Sequence, residues 1–371
     1  MPNLFLLCEY ATLNGGEHSM LSTLAGVEAA GFRPTILAPQ EGPLAEVLHR
    51  REIELLPFNS RDPQGEHVPQ SQSREELAAV LRRRRPDLLH ANSLSMGRLS
   101  GPVAAELQLP GIAHLRDIIR LSNQAVADLN CHTRLLTVSK ATRDFYAAGG
   151  LAAAKTHVLY NGVDLKCFRP RPKTGYLHRE LGLPPEAKLI GTIGQLSLRK
   201  GQDVLARAAA RLAETLSNVH YLIVGERRSQ KDESRSFEAA LRAAAEGPLA
   251  GRFHLLGYRN DVAELLGELT LLVHPARQEP LSRVLLESAA AGVAVIATDV
   301  GGTREIFPPE SSSAQLVPPD DPDALAAAIL ELLGDEALRS RLAAAARRRA
   351  EEVFDLRHTT AQLVRHYREL T

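Results

Sequence analysis

The sequence predicts an α/β protein made of two doubly wound halves, each a parallel sheet covered by helices on both faces. Three observations carry that prediction. Short apolar runs alternate with amphipathic stretches of helical length through most of the 371 residues. The alternation restarts with the same period after a Pro-rich stretch, Phe168 to Pro172. A composition of 44% hydrophobic and 24% charged residues is that of a globular chain with enough length for two cores.

In the first half the strand-like runs are Leu4 to Leu7, Thr35 to Ala38, Ile53 to Leu56, Asp87 to Ala91, Gly111 to His114 and Leu135 to Val138. Helical stretches such as Glu17 to Ala30 and Leu44 to Arg51 fall between them. The second half repeats the scheme with Leu189 to Ile193, the helix-like Gln202 to Leu216, then Tyr221 to Val224, Phe253 to Leu256, Leu271 to Val273 and Ala294 to Ala297. Ala- and Arg-rich helices, Asp323 to Leu333, Glu336 to Glu352 and Leu356 to Leu370, close the chain. The expected division is a first domain at 1–168 and a second at 169–354, two Rossmann-like domains facing a cleft, with the last helix, about 355–371, packing back on the first. Ligands of such sheets bind beyond the carboxyl ends of the strands, so the informative residues belong in loops directly after apolar runs.

Lys plus Arg (44) balance Asp plus Glu (44), so no global field holds the chain on nucleic acid or an anionic bilayer. An anionic ligand must meet a local site, and nucleic acid is not an expected partner. The cysteines, Cys8, Cys131 and Cys167, form no CxxC or Cys/His cluster, which suggests neither a disulfide framework nor a structural metal and fits a reducing cytoplasm. The start of the sequence lacks the basic segment and long apolar run of a signal peptide, and eighteen consecutive apolar residues occur nowhere.

Three constellations follow apolar runs. Asn14-Gly15-Gly16-Glu17 opens the first helix, where paired glycines allow close approach and the amino terminus suits phosphate; a tight strand-to-helix turn explains the same residues. Gly194 to Gly201 places Arg199 and Lys200 side by side in a glycine-bounded loop, a pairing that suits an anion or, more plainly, solvent. The longest runs from His274 to Gly292, with Glu279 ahead of a helix beginning near Leu281 and Glu287 inside that helix. A carboxylate flanked by Leu286 and Ala289 is costly to bury without partners, and two sugar hydroxyls or a salt bridge would supply them.

With two glutamates separated by seven residues, Glu279 and Glu287, the chain resembles the retaining GT-B glycosyltransferases of family 4, the glycosyl transferases group 1. The likeness extends through Gly15-Gly16, Asn161-Gly162-Val163-Asp164 with Phe168 and Pro170, Gly194 to Gly201, Val224-Gly225, Leu256-Gly257-Tyr258 and Gly301-Gly302-Thr303-Arg304-Glu305. The resemblance implies a GT-B fold whose first domain binds the acceptor and whose second binds a nucleotide-sugar donor. It implies Glu287 at the donor ribose, Glu279 beside the transferred sugar, and Lys200 at the leaving diphosphate with Gly15 and Gly16 approaching it. The amides around Leu281, Ser282, Arg283 and Val284 would hold sugar and phosphates, and Gly257 and Tyr258 would meet the nucleobase.

Three departures stand out. Gln195 occupies a place where the family commonly has Arg, and Arg199 is the candidate for the missing charge. Arg116 stands where His is usual, so either Arg116 or His114 faces the reaction centre. Ser282 replaces a frequent Gly and would narrow the sugar pocket. The implied chemistry is retaining transfer from a nucleotide-diphosphate sugar, a UDP-sugar by family frequency, to a saccharide, lipid-linked or small-molecule acceptor. Since protein cations meet the phosphate, no metal and no cofactor are expected. A GT-B nucleotide-sugar epimerase and a catalytically silent nucleotide-sugar-binding protein are the alternatives.

The Arg82 to Arg85 and Arg347 to Arg349 runs read as helix ends and solvated faces, with peripheral contact to anionic lipid at the inner face of the cell membrane as the second reading. His18, beside the glycine pair, is kept as an acceptor-site contact. The other acceptor segments are expected around Asn59 to Ser73, Asn92 to Ser95 and Arg116 to Asn123.

Overall fold

A computed structural model describes residues 1–62, 65–66, 68–247 and 249–371. The chain forms two compact units, Met1–Gly162 with Leu356–Thr371, and Val163–Asp355. The first unit ends at Gly162 rather than at 168, for a local reason. The Val163 N–H donates to the Phe354 carbonyl at 2.8 Å and Val163 bridges Asp355, so the outgoing and returning chain are tied together within the second unit.

In the first unit the order is β1 (Asn3–Leu7), α1 (Gly15–Ala29), β2 (Arg33–Ala38), α2 (Pro43–Arg50), β3 (Glu54–Pro57), α3 (Gln70–Arg84) and β4 (Leu88–Ala91). There follow α4 (Leu94–Glu106), β5 (Gly111–Leu115), α5 (Asn123–Asn130), β6 (Arg134–Thr137), α6 (Lys140–Ala148) and β7 (Thr156–Val158). The sheet is parallel, in the order β3-β2-β1-β4-β5-β6-β7. Side chains alternate across a strand, and β1 buries both faces. Leu4 and Leu6 join Leu24, Val27 and Leu48, whereas Phe5 and Leu7 join Leu77, Met96 and Val103. That is why β1 reads as an unbroken apolar run rather than as an alternating one.

The second unit runs α7 (Tyr176–Leu181), β8 (Lys188–Ile193), α8 (Gln202–Arg211), β9 (Val219–Val224), α9 (Asp232–Glu246), β10 (Phe253–Gly257), α10 (Val262–Glu268) and β11 (Leu271–His274). It continues with α11 (Arg283–Ala291), β12 (Val295–Thr298), α12 (Thr303–Ile306), β13 (Gln315–Val317), α13 (Pro322–Gly334) and α14 (Glu336–Val353). Its parallel order is β10-β9-β8-β11-β12-β13. Ile190, Ile223, Val273 and Ile296 pack against Leu205 of α8 and Ile329 of α13. The last helix, α15 (Leu356–Arg368), inserts Leu363, Val364 and Tyr367 into the core of the first unit. Among the described residues no helix is long and apolar enough to cross a membrane.

Each sheet therefore grows outward in two directions, from β1/β4 in one unit and from β8/β11 in the other. Those are the points at which an open parallel sheet leaves a crevice beyond its carboxyl edge.

Candidate active site

Lys200 and Glu279 project from the two loops that leave the switch point of the second sheet. Lys200 ends the turn Leu198–Lys200 after β8, and Glu279 lies in the connection from β11 to α11. The loops are fastened to each other, since the Arg277 N–H donates to the Arg199 carbonyl at 2.8 Å. Two glycines set the geometry. Gly201 has φ +66° and a Cβ there would lie 2.0 Å from the Pro275 oxygen, while Gly301 has φ +52° and a Cβ there would lie 2.0 Å from the Glu279 carbonyl oxygen. A side chain at either position would push one of the two charged residues out of place.

The charges meet directly. Lys200 Nζ is 2.5 Å from Glu279 Oε2, and His274 Nε2 is 2.9 Å from the same oxygen. The glutamate is 4% exposed. Burial pushes its carboxyl up, but the Lys200 ammonium and the His274 hydrogen bond outweigh that and hold it far below the ordinary carboxylate range. Burial also keeps His274 below its usual value, against the pull of Glu279, so a neutral ring donates its Nε2–H to the carboxylate. With Oε2 taken twice, Oε1 has no side-chain partner among the described residues.

On α11, Glu287 is 13% exposed at its side chain and pairs with Arg283 Nη2 at 3.1 Å. Of the two kinds of partner expected for that carboxylate the salt bridge is present, and the side chain is mostly buried. The helix begins at Arg283, not near Leu281, because Ser282 takes extended backbone as its N-cap. Leu281, Ser282 and Val284 are buried at this start, where first-turn amides lack intrahelical acceptors. Gln195 is exposed, and its carbonyl accepts from Gln202 Nε2 at 2.9 Å. Arg199 makes no side-chain hydrogen bond or ion pair among the described residues, and its charge is felt at Glu279. Gly257 ends β10 and Tyr258, 46% exposed, carries the Arg228 guanidinium 5.7 Å from its ring centre. The sequence contains an Asp-x-Asp triplet, Asp321-Pro322-Asp323, of the kind that can hold a metal, and here it caps α13: Asp321 Oδ1 accepts the amides of Asp323 and Ala324.

In the first unit Gly15 and Gly16 open α1, and Glu17 closes the turn by accepting the Asn14 N–H at 3.1 Å. Arg116, just past β5, lies against them, its Cδ 3.3 Å from where a Cβ on Gly16 would stand. Its guanidinium donates to the Asn92 carbonyl (3.2 Å), Asn92 Oδ1 (3.1 Å), Asn161 Oδ1 (3.0 Å) and His114 Nδ1 (3.1 Å). An arginine only donates, so His114 carries its proton on Nε2. Burial, reinforced by the Arg116 charge, holds His114 well below its usual range and therefore neutral. It stacks on His90 at 5.5 Å, and His90 Nδ1 meets the Tyr367 hydroxyl at 2.6 Å. Arg116 is the partly exposed member of the pair and His114 the buried one, at 4%.

His18 is exposed on α1. Of the segment 59–73, Pro63, Gln64 and His67 lie outside the described residues. The basic runs are engaged locally, Arg82 with Glu106, Arg84 with Glu54, Arg347 with Glu351 and Arg349 with the Ile306 carbonyl. The sequence places Asn92 at the start of an expected acceptor segment, Asn161 in a family motif and His274 at the start of the two-glutamate segment, but assigns none of the three a contact of its own. The only available signal was their place directly after strands or in a recognised motif.

The glycosyl transferases group 1 model matches residues 176–349, and the Glycosyltransferase Family 4 model matches residues 13–166. The chain is 32% identical over 56% of its length to a phosphatidyl-myo-inositol mannosyltransferase of Mycolicibacterium smegmatis, covering 50% of that protein. It is 29% identical over 68% to a D-inositol 3-phosphate glycosyltransferase of Corynebacterium urealyticum, covering 59%. With a GDP-mannose-dependent alpha-mannosyltransferase of Mycobacterium tuberculosis the figures are 28%, 91% and 88%. The chain thus spans about half to three fifths of the first two of these relatives. Among solved structures, Anabaena Alr3699/HepE in complex with UDP-glucose matches with TM-score 0.87 at 21% identity over 100% of both chains. WaaG, a glycosyltransferase involved in lipopolysaccharide biosynthesis, matches at TM-score 0.74 and 21% identity over 98% of this chain and 99% of its own. The fold is that of these GT-B proteins.

Proposed function

The chain belongs to the GT-B glycosyltransferases of the glycosyl transferases group 1 family, and from that premise we propose that it is a retaining hexosyltransferase using a nucleotide-diphosphate sugar. The observation that carries the proposal is the Lys200–Glu279–His274 cluster at the switch point of the second sheet, beside the start of α11. A UDP-sugar is the proposed donor, in keeping with the UDP-glucose bound by a structure of the same fold. The proposed acceptor is a saccharide, lipid-linked or small-molecule hydroxyl compound, a range that the named relatives fit.

Breaking the bond from the anomeric carbon to the diphosphate gathers negative charge on phosphate and positive charge on the ring. Catalysis then rests on charge stabilisation and positioning. Lys200 and the first-turn amides of α11 would take the phosphate charge, with Arg199 as the second cation. Glu287 would accept the ribose hydroxyls. Glu279 would offer Oε1 to a sugar hydroxyl while Oε2 stays locked to Lys200 and His274. The acceptor oxygen bonds to the anomeric carbon on the face the diphosphate leaves, and its proton passes to the departing phosphate oxygen.

With protein cations at the phosphate, metal-independent transfer is the proposal; loss of activity in EDTA restored by Mg²⁺ or Mn²⁺ would contradict it. The test of the function is a panel of UDP-, GDP- and ADP-sugars with and without acceptor extracts. Acceptor-dependent nucleotide release with a product of unchanged anomeric configuration by NMR is expected. Acceptor-free isomerisation would make the protein an epimerase, and binding without turnover a silent nucleotide-sugar binder. We propose a cytoplasmic location, in keeping with three cysteines that form no paired or clustered pattern in the sequence. Peripheral contact with anionic lipid is tested by liposome sedimentation at low salt.

A further inference from the structure

We propose that Arg277 is a positioning residue for the Lys200–Glu279 couple, clamping the loop that carries the lysine to the loop that carries the glutamate; the inference rests on the glycosyltransferase reading above. Arg277 lies two residues before Glu279 in the connection from β11 to α11. Its backbone N–H donates to the Arg199 carbonyl at 2.8 Å, and its side chain reaches the same turn a second time, Nη1 donating to the Leu198 carbonyl at 2.6 Å. The guanidinium also forks onto Asp203 in the first turn of α8, with Nη1 on Oδ1 at 2.8 Å and Nη2 on Oδ2 at 2.7 Å. Lys200 therefore stands between two anchors, the Leu198 and Arg199 carbonyls before it and Asp203 after it. Both are fastened to the chain that leads into Glu279. The Nε–H donates to Asp320 Oδ1 at 2.6 Å, which brings in the connection from β13 to α13.

Four of the five N–H donors of the guanidinium are thus used, on a carbonyl and two carboxylates from three separate segments. A planar fork can do this, whereas an ammonium is a single point charge. Two aspartates match the one positive charge, so Arg277 adds no net charge to the site and its influence on a phosphate runs through the placement of Lys200. The close approach of Gly201 to the Pro275 oxygen brings the two loops together, and the Arg277 clamp fixes one against the other. The lysine backbone is held in this way while its ammonium stays free to turn. Displacing a charged group by about 1 Å can cost about 10²-fold in rate, which gives such a clamp a consequence for the chemistry.

A double-mutant cycle in the full chain tests the clamp. Calorimetric titration with UDP, GDP and ADP first identifies the nucleoside diphosphate that the wild type binds. Arg277→Met, which keeps an unbranched side chain and removes the fork, should weaken that affinity about fivefold or more, but less than about twofold once Lys200→Ala is in place, because the clamp acts through the lysine. Arg277→Lys should also bind about threefold or more weakly than wild type, since it restores a charge for Asp203 but cannot hold Asp203 and the Leu198 carbonyl together. Equal losses in both backgrounds, no loss in Arg277→Met, or full recovery in Arg277→Lys would each overturn the proposal, because each is what a merely stabilising ion pair gives. Wild-type protein that binds none of the three nucleotides would instead sink the glycosyltransferase reading, and amide exchange then decides the positioning itself. The Gly201 N–H, which donates to the Leu198 carbonyl at 3.2 Å, should exchange about tenfold faster in Arg277→Met than in wild type, while Ile223 in β9 keeps its rate. Unchanged exchange at Gly201, or equal acceleration at both amides, would overturn the proposal.

Discussion

Lys200 and Arg116 hold comparable places in their own units, each just beyond the carboxyl edge of a parallel sheet, yet they are held by different kinds of hydrogen-bond partner. The lysine faces a buried carboxylate at 2.5 Å, and that carboxylate is shared with a neutral imidazole. The arginine is framed by two amides, a backbone carbonyl and a neutral imidazole. A compact ammonium can turn between a carboxylate and an incoming phosphate, so pairing stores it without orienting it. A guanidinium works through the direction of its fork, so it is oriented by neutral acceptors. Like positions in like folds thus hold one cation against a carboxylate and fork the other among neutral acceptors, within the field of Glu17.

The largest effect expected from breaking this comparison is that of Lys200→Ala. It strips the charge from the leaving diphosphate and leaves Glu279 with His274 alone, and turnover should drop by about 10² to 10³ at saturating donor. Near-normal nucleotide release would remove Lys200 from the site. Next comes Glu279→Ala, which leaves a mostly buried ammonium without its partner. Urea unfolding should register a loss of about 3 kcal/mol in the second unit, with Glu279→Gln losing less because one oxygen can still accept both bonds.

A pH titration sharpens the contrast. His90, near 3, and His132, near 4, are held low chiefly by burial. Their folded values lie below the unfolded value of about 6.5, so the unfolded chain takes up protons first as pH falls. The stability they contribute is complete above about pH 6.5 and declines below it by about 1.4 kcal/mol per pH unit for each ring. Glu279 has the same sign but a lower window: its folded value is depressed from an already acidic starting point, so its contribution is present above the ordinary carboxylate range and is lost only in strong acid. Hydrogen exchange corrected for intrinsic rates should find β4 less protected at pH 5 than at pH 7 while the Lys200–Glu279 couple stays intact. Equal protection of β4 at both values would mean that those histidines are not buried neutral. The smallest effect belongs to a cation of neither kind. Arg82→Ala breaks a pair with Glu106 in which both side chains are more than half exposed, and should change stability by less than about 0.5 kcal/mol in the same unfolding assay.

Much of this architecture was legible in the sequence because strands buried on both faces leave unbroken apolar runs. Leu4 to Leu7 and Leu271 to Val273 were visible for that reason. β7 and β13 were not: three residues each at a sheet edge, Thr156–Val158 and Gln315–Val317, bury too little to leave a run. Lys200, Glu279 and Glu287 were legible by spacing and position. Their partners were not, since nothing in the spacing of residues 79 apart says that Lys200 and Glu279 touch. Asn92 and Asn161 were invisible as a pair for the same reason, because β4 and the chain after β7 are brought together only by the sheet.

Binding of a nucleoside diphosphate is the most direct test. Calorimetric titration of the wild-type protein with UDP, GDP and ADP should find one of them saturating a single site, with affinity at least tenfold weaker in Lys200→Ala and in Glu287→Ala. Heat of binding that is absent for all three, or identical in the wild type and both variants, would contradict the account.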